Sequence, residues 1–287
     1  MDINLLAPTQ IKQILENHGL RPKKRFGQNF LIDRNILNKI LEAAELDSES
    51  IVLEIGPGLG TVTKEAAQIA SRVIAVEADR DLIPVLHEIL DQYHNVEIIK
   101  GDFLQLNLPE FLSSRLNRGK CTVVANLPYY ITSPLITRLL EVRESVERMV
   151  IMVQEEVADR LIAEPGTPDY GSLSVFVQFY CDAKIVARAK RTVFLPSPEV
   201  DSAIVRLDVL PSPAVEIDDE QLFFKIVRAS FGQRRKTLLR SLSGSPDLGW
   251  SREKAHIALE KAGIDSSRRG ETLSLEEFAS ITKAASD

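Results

Sequence analysis

The sequence predicts an α/β fold: a mostly parallel sheet with helices on both faces, followed by a small all-helical domain. Three observations predict it. Short apolar runs alternate with stretches of helical periodicity from Ile51 to Gln154, the pattern of parallel strands joined by crossover helices. A glycine-rich turn, Glu54–Gly60 (EIGPGLG), follows the first of these runs and opens a helix. A proline-rich break at Pro211–Pro213 is followed by helical patterns alone.

Taken in order, the chain opens on two helical patterns, near 10–17 and 35–44, the second with Asp33 as its N-cap. An irregular basic stretch separates them. IVLEIG (from Ile51) reads as a buried strand, TVTKEAAQIA as a helix and VIAVEAD as a strand. RDLIPVLHEILDQY is a helix, VEIIKGD and CTVVANL are strands, SPLITRLLEV a helix and RMVIMVQ a strand. KIVARA and SAIVRL, joined by TVFLPSPEVD, read as an antiparallel pair closing one edge of the sheet. Four helical patterns follow, near 220–231, 236–242, 252–262 and 275–284. The expected division is a catalytic domain over 1–212 and a helical domain over 213–287.

Composition narrows the function classes. With 287 residues, 44% hydrophobic and 26% charged, the chain has room for one large domain and one small one. No apolar stretch approaches the ~20 residues that span a bilayer. The N-terminus, MDINLLAPTQIKQ, lacks the pattern of a secretory or transit peptide, so the cytoplasm is the expected compartment. Cys121 and Cys181 have no ligand-type spacing and the four histidines do not cluster with them, so no metal site is expected. The net charge of −6 argues against a nucleic-acid partner if taken alone. Its distribution argues the other way. Basic residues gather at Arg21, Lys23, Lys24 and Arg25, at Lys184, Arg188, Lys190 and Arg191, and at Arg234, Arg235, Lys236 and Arg240, each beside an aromatic or apolar motif.

The glycine turn lets the backbone come close to a ligand. A dinucleotide would want G-x-G-x-x-G/A. Gly56 and Gly58 fit that spacing, but Thr61 stands at the last glycine position. E-x-G-x-G-x-G suits better the turn with which class I methyltransferases hold S-adenosylmethionine. Glu77 ends the next strand, about 20 residues on, where a carboxylate can accept from both ribose hydroxyls. Asp102 and Phe103 end the strand after that, placed to accept from the adenine amine and to pack on the purine.

The fourth strand ends in NLPYY (Asn126–Tyr130). The exocyclic amine of a target adenine is a poor nucleophile because its lone pair is delocalised into the ring. Two acceptors on its hydrogens favour a pyramidal, nucleophilic nitrogen. The Asn126 side-chain oxygen and a main-chain carbonyl near Leu127 and Pro128 can supply them, with Pro128 stiffening the turn. Tyr129 can stack on the base. Tyr130 reads as core. Methyl transfer from an activated donor then asks mainly for alignment.

GQNFL (from Gly27), EIGPGLG, VEAD, GDF, NLPY, VFLPSPEVDSA (from Val193) and FGQRRKTL (from Phe231) occur in this order. Together they resemble the ribosomal RNA adenine N6,N6-dimethyltransferase family, in its bacterial small-subunit form, across nearly the whole chain. The resemblance implies a class I methyltransferase fold with S-adenosylmethionine as cofactor. It also implies N6,N6-dimethylation of two adjacent adenosines in a hairpin loop near the 3′ end of small-subunit rRNA. Asn29 and Leu31 would line the cofactor site from an N-terminal lid, and Phe194 would stack on the target base opposite Tyr129. Lys23, Lys24 and Arg25, with Arg234, Arg235 and Lys236, would contact RNA phosphates, which position RNA without choosing the base. The expected partner is rRNA in a pre-ribosomal particle and the expected state a monomer. The acidic total charge and about 15 residues before the lid depart from expectation.

Three other readings fit part of the pattern. A DNA adenine methyltransferase would share the crevice, although Asn-Leu-Pro-Tyr departs from the Asp/Asn-Pro-Pro-Tyr common there. A non-enzymatic ribosome assembly factor could use the same fold. A nicotinamide oxidoreductase would have to explain Thr61 and a missing hydride-transfer constellation.

Overall fold

The computed structural model describes residues 3–23, 26–117, 119–126, 131–233 and 235–286. Helix α1 (Pro8–Asn17) starts at a proline, which suits a first helical turn. Strand β1 (Phe30–Leu31) precedes α2 (Arg34–Ala44), where the Asp33 side chain accepts from Ile36 N at 2.9 Å as the expected N-cap. Then β2 (Ile51–Ile55), α3 (Thr61–Ala66), β3 (Arg72–Glu77), α4 (Ile83–Leu90) and β4 (Val96–Lys100) alternate. Helix α4 is shorter than its sequence pattern because Pro84 confines the start to its own first turn. Next come α5 (Leu108–Leu116), β5 (Cys121–Asn126), α6 (Thr132–Glu141) and β6 (Val146–Gln154). They are followed by α7 (Glu155–Ile162), α8 (Ser172–Tyr180), β7 (Cys181–Ala189), β8 (Phe194–Leu195) and β9 (Ser202–Val209). Four helices complete the chain: α9 (Glu220–Gly232), α10 (Leu238–Ser243), α11 (Arg252–Lys261) and α12 (Leu275–Ser286).

Seven strands form one sheet in the order β4-β3-β2-β5-β6-β9-β7. The pairs from β4 to β6 are parallel, and β9 runs antiparallel to β6, with Arg148 opposite Asp208 and Gln154 opposite Ser202. This is the class I methyltransferase architecture, with the late strand pair at the expected edge. Separately, β1 and β8 pair antiparallel, with Leu31 opposite Phe194.

Contacts divide the chain into Met1–Ala158 with Lys184–Val209, and Asp159–Ala183 with Leu210–Asp287. This corrects the expected division at 212/213, since a segment between β6 and β7 joins the helical unit. Tyr170 Oη donates to Leu273 O at 2.9 Å and Gly166 N to Glu271 O at 2.7 Å. Phe179 packs on Phe223 with ring centroids 4.9 Å apart, and Phe176 on Phe224 at 5.3 Å. Aromatic area of this kind dominates small cores.

In the sheet-containing unit, α2 and α3 pack on the sheet through Leu37, Ile40, Val62 and Ala66 against Val52, Val73 and Val124. The segment before the lid has a place too: Leu5, Ile11 and Leu15 bury against Val85, Leu86 and Ile89 of α4, together with Phe30.

The C-terminus of α2 is clamped to the β6–β9 pair. Arg148 Nε and Arg206 Nε lie 2.6 and 2.7 Å from the two oxygens of Asp208, and both arginines also pair with Glu45. Arg148 Nη1 donates to Ala44 O at 3.0 Å and Arg206 Nη1 to Ala43 O at 3.2 Å, satisfying carbonyls that the helix end leaves open. Burial pushes Asp208 up, but hydrogen bonds from Arg206 and Arg148 hold it below its ordinary range, and Arg206 does the same for Glu45. Lowered carboxyl pKa values contribute stability that is present above the unfolded values and lost as pH falls through the folded ones. Asp208→Asn should therefore destabilise the protein by about 1–2 kcal/mol at neutral pH, a figure reduced from a fully buried pair for the partial exposure of this one. Urea denaturation should show that difference shrinking as pH drops below about 4.

Candidate active site

Four parallel strands end at one edge of the sheet, each with a group that can do chemistry. β2 runs into the glycine turn, β3 ends on Glu77, β4 leads through Gly101 to Asp102, and β5 ends on Asn126. β3 lies on one side of β2 and β5 on the other, so the connections depart in opposite directions and open a crevice there. A cavity of about 280 Å³ fills that crevice. Asn29, Leu31, Gly56, Gly58, Glu77, Asp102, Phe103 and Asn126, all expected at a cofactor, line it together.

The turn is shaped by its glycines. Gly58 has φ +60°, and a Cβ there would lie 3.3 Å from the Phe30 ring, so the position excludes side chains on two counts. Gly58 N donates to Glu77 Oε2 at 3.2 Å, and Asp79 N donates to Oε1 at 2.7 Å. An ionised carboxylate has about four acceptor sites, so each oxygen keeps capacity for a ligand hydroxyl. Burial pushes Glu77 up to about 7, against the pull of those two N–H groups.

Glu54, to which the sequence reading gave no role, also lines the cavity and is 4% exposed. Thr63 Oγ1 donates to its Oε2 at 2.6 Å. Burial, reinforced by the nearby Glu77 charge, pushes Glu54 up to about 8. Its signal was available as the first letter of E-x-G-x-G-x-G. Asp102 accepts from Leu104 N and from Gln105 Nε2, both at 3.0 Å, and so caps a short 3-10 turn that buries Phe103 at the cavity wall.

The opposite wall is the N-terminal arm, Phe26–Leu31. Asn126 Nδ2 donates to Asn29 O at 3.1 Å, which joins the arm to the end of β5 and turns the other end of the amide, Oδ1, away from that contact. Asn126 and Ile131 both line the cavity and bracket Leu127, Pro128 and Tyr129, expected catalytic residues, and Tyr130. Those four lie outside the described residues, as do Lys24, Arg25 and Arg234.

Two expectations are corrected. Phe194 is 3% exposed and packs among Leu31, Ile36 and Ile204, with its backbone paired to β1. As placed, the ring fills core instead of offering a face to a base. Lys23, expected on RNA, lies 2.6 Å from both Asp79 and Asp81, so its charge is answered within the protein. Arg235 and Lys236 are exposed in the turn between α9 and α10. In the basic group from Lys184 to Arg191, Arg188 pairs with Glu155, while Lys184, Lys190 and Arg191 are exposed.

The wall carries three carboxylates, Glu54, Glu77 and Asp102, and no lysine, arginine or histidine among its described residues. Such a cavity offers a pyrophosphate no cationic partner, and a bound cation would favour ionisation of its buried acids. No group of three potential metal ligands occurs among the described residues, and no described helix is long and apolar enough to cross a membrane.

Residues 19–287 match the family model for ribosomal RNA adenine dimethylase. The ribosomal RNA small subunit methyltransferase A of Pelotomaculum thermopropionicum is 51% identical over 291 residues, covering 99% of this chain and 98% of its own. A dimethyladenosine transferase from Plasmodium falciparum superposes with a TM-score of 0.73 at 28% identity, covering 88% of this chain and 95% of its own. The 23S rRNA methyltransferase ErmE superposes at 0.69 with 29% identity, over 90% of this chain and all of its own.

Raised carboxyl pKa values make the folded protein hold protons that the unfolded chain has released, so stability falls as pH rises from about 4.5 to 8. Glu54→Gln mimics the protonated acid and should remove most of Glu54's share. By chemical denaturation without ligand, it should match the wild type near pH 5 and exceed it by about 1–3 kcal/mol above pH 8. Equal pH dependence in the two proteins would mean that Glu54 is ionised throughout.

Proposed function

The chain belongs to the ribosomal RNA adenine dimethylase family, and on that footing we propose that the cavity at the strand ends holds S-adenosylmethionine beside a target adenosine. The activity follows from membership: the chain is an rRNA adenine dimethyltransferase of small-subunit maturation. Membership also removes the oxidoreductase, DNA-methylase and purely structural readings. We take the substrate to be two adjacent adenosines in a hairpin loop near the 3′ end of the rRNA. The working enzyme on this reading is a cytoplasmic monomer that meets its RNA within a pre-ribosomal particle.

One observation carries the cofactor assignment: a cavity wall of three carboxyl groups, with no described lysine, arginine or histidine, beside a glycine turn. S-adenosylmethionine supplies, when bound, a methyl group on a positively charged sulfur. Its sulfonium and ammonium suit a wall bearing Glu54, Glu77 and Asp102, whereas a dinucleotide's phosphates do not. Glu77 has an acceptor site left on each oxygen for the ribose hydroxyls. Asp102 would accept from the adenine amine, with Phe103 against the ring.

Catalysis is then a matter of alignment. Asn126 Oδ1 would accept one hydrogen of the target N6, while Nδ2 is held by Asn29 O, which fixes the amide's orientation. A carbonyl of the Leu127–Pro128 segment would accept the other, and Tyr129 would stack on the base. The helical domain would hold RNA phosphates through Arg235 and Lys236, with Arg234 and the arm's Lys24 and Arg25. The base itself is chosen by RNA shape and by stacking once it is splayed from the loop.

Glu77→Ala should weaken S-adenosylmethionine binding by about 1–3 kcal/mol, the range for charge-assisted hydrogen bonds. Wild-type affinity should also fall as pH drops below about 7, because protonated Glu77 loses acceptor capacity. Calorimetry across pH tests both, and an unchanged affinity in the variant would remove Glu77 from the site. Asn126→Ala should slow methyl transfer about 10²-fold or more with a smaller effect on cofactor affinity. In a time course on small-subunit particles, digested to nucleosides, monomethyladenosine should appear transiently and dimethyladenosine accumulate. A wild-type product that stops at monomethyladenosine with cofactor in excess would contradict dimethylation as the outcome.

A further inference from the structure

Lys23, Gln28, Asp79 and Asp81 form a charged cluster just outside the cavity. Asp79 is 2% exposed. Its Oδ1 lies 2.6 Å from Lys23 Nζ, and its Oδ2 accepts from Gln28 Nε2 at 2.8 Å. Lys23 Nζ also reaches Asp81 Oδ2 at 2.6 Å, and Lys23 N donates to Gln28 Oε1 at 2.8 Å. These contacts tie the arm to the loop after β3 from two arm positions. On its inner side the same loop meets the site, since Asp79 N donates to Glu77 Oε1 at 2.7 Å. Phe26 and Gln28 line the cavity, whereas Lys23, Asp79 and Asp81 do not.

Burying a carboxylate is unfavourable unless it is paired and hydrogen-bonded. Two of Asp79's side-chain partners, Lys23 and Gln28, belong to the arm. Moving the arm off the cavity therefore breaks a short, charge-assisted pair at Asp79 and removes part of the support for the loop that orients Glu77. The arm itself forms one wall of the cavity, through Phe26 to Leu31. Four methyl transfers to two adenosines require the cofactor to be exchanged repeatedly, so this pair sits at a step the reaction must pass each time.

We propose that Lys23 and Asp79 are positioning residues: their ion pair latches the arm across the cavity and sets how long S-adenosylmethionine and its demethylated product stay bound. This rests on the reading of the cavity as the S-adenosylmethionine site. It gives Lys23, which carries a family-type basic motif into the arm, a partner within the protein in place of RNA.

The test is a double-mutant cycle on the full-length protein, with Lys23→Met, Asp79→Asn, the pair combined, and Lys23→Arg. Dissociation of S-adenosylmethionine and of S-adenosylhomocysteine would be followed by stopped-flow displacement, and methyl transfer to small-subunit particles measured with cofactor varied. Each single variant should shorten the dwell time about tenfold, the effect falling on release and not on association. The combined variant should be no worse than either single one, because both remove the same contact. Lys23→Arg should restore most of the dwell time. KM for the cofactor should rise in the singles while kcat does not fall. Dwell times unchanged in the single variants, beside a wild type that binds S-adenosylmethionine, would overturn the latch and leave the cofactor site standing. Losses that add across the pair, or a fall in kcat with unaltered release, would overturn it as well. A wild type that binds no S-adenosylmethionine would instead sink the reading of the cavity. Should Asp79→Asn fail to fold, Lys23→Met and Lys23→Arg carry the test, because Lys23 is at a part-exposed position outside the core.

Discussion

Burying Glu77 demands partners for both of its oxygens, and much of the site is arranged around that demand. One partner is the N–H of Gly58, which is available because the turn after β2 takes a left-handed conformation. The other is the N–H of Asp79, in the loop where β3 ends. The turn, the strand end and the loop are thereby tied through a single carboxylate. Asp79 then needs partners of its own and finds them in the arm. The order of dependence runs outward from one acid: a ribose acceptor, the turn that feeds it, the loop that steadies it and the arm that covers it. Glu54 adds a second buried acid beside the first, satisfied by Thr63. Together they make a cavity whose buried acids a bound cation would help to ionise.

Much of this was legible in the sequence. The alternation of apolar runs and helical periods yields the sheet because burial on both faces leaves strands uniformly apolar. The acids at Glu77 and Asp102 were readable because each stands at or just beyond the end of such a run. Less legible was the stretch from Asp159 to Ala183. SLSVFVQFY is rich in strand-forming residues, yet it is helix α8. Phe176, Phe179 and Tyr180 recur at helical spacing and meet Phe223 and Phe224 of α9. Tertiary packing overrides local propensity there, and the same packing moves the domain division. Glu54, Gln28 and Asp79 were missed for a different reason. Their roles depend on contacts between segments more than fifty positions apart, or on a burial that no local pattern reveals. Lys23 was misread because a basic run looks alike whether its charges face RNA or a carboxylate nearby in space.

The acidic sum of the chain is also easier to understand in the structure. Some of the acids are partners to internal cations, as Asp208 and Glu45 are to Arg148 and Arg206, and others line the cavity. Arg235 and Lys236, in the helical unit, are exposed. A polyanion meets local potential and not net charge, so an enzyme can be acidic as a whole and still present a cationic face to RNA.

The packing of α1 on α4 has a consequence for how the protein comes to be made. Ile11 and Leu15 rest on Val85, Leu86 and Ile89, residues that leave the translating ribosome some seventy positions later. Until then the first helix lacks the larger part of the apolar surface it covers. Helix α1 is thus seated only after β2 and β3, the first two strands of the seven-stranded sheet, have followed it. Phe30 of the pocket wall shares that cluster, so a part of the site delivered early is packed by residues delivered later.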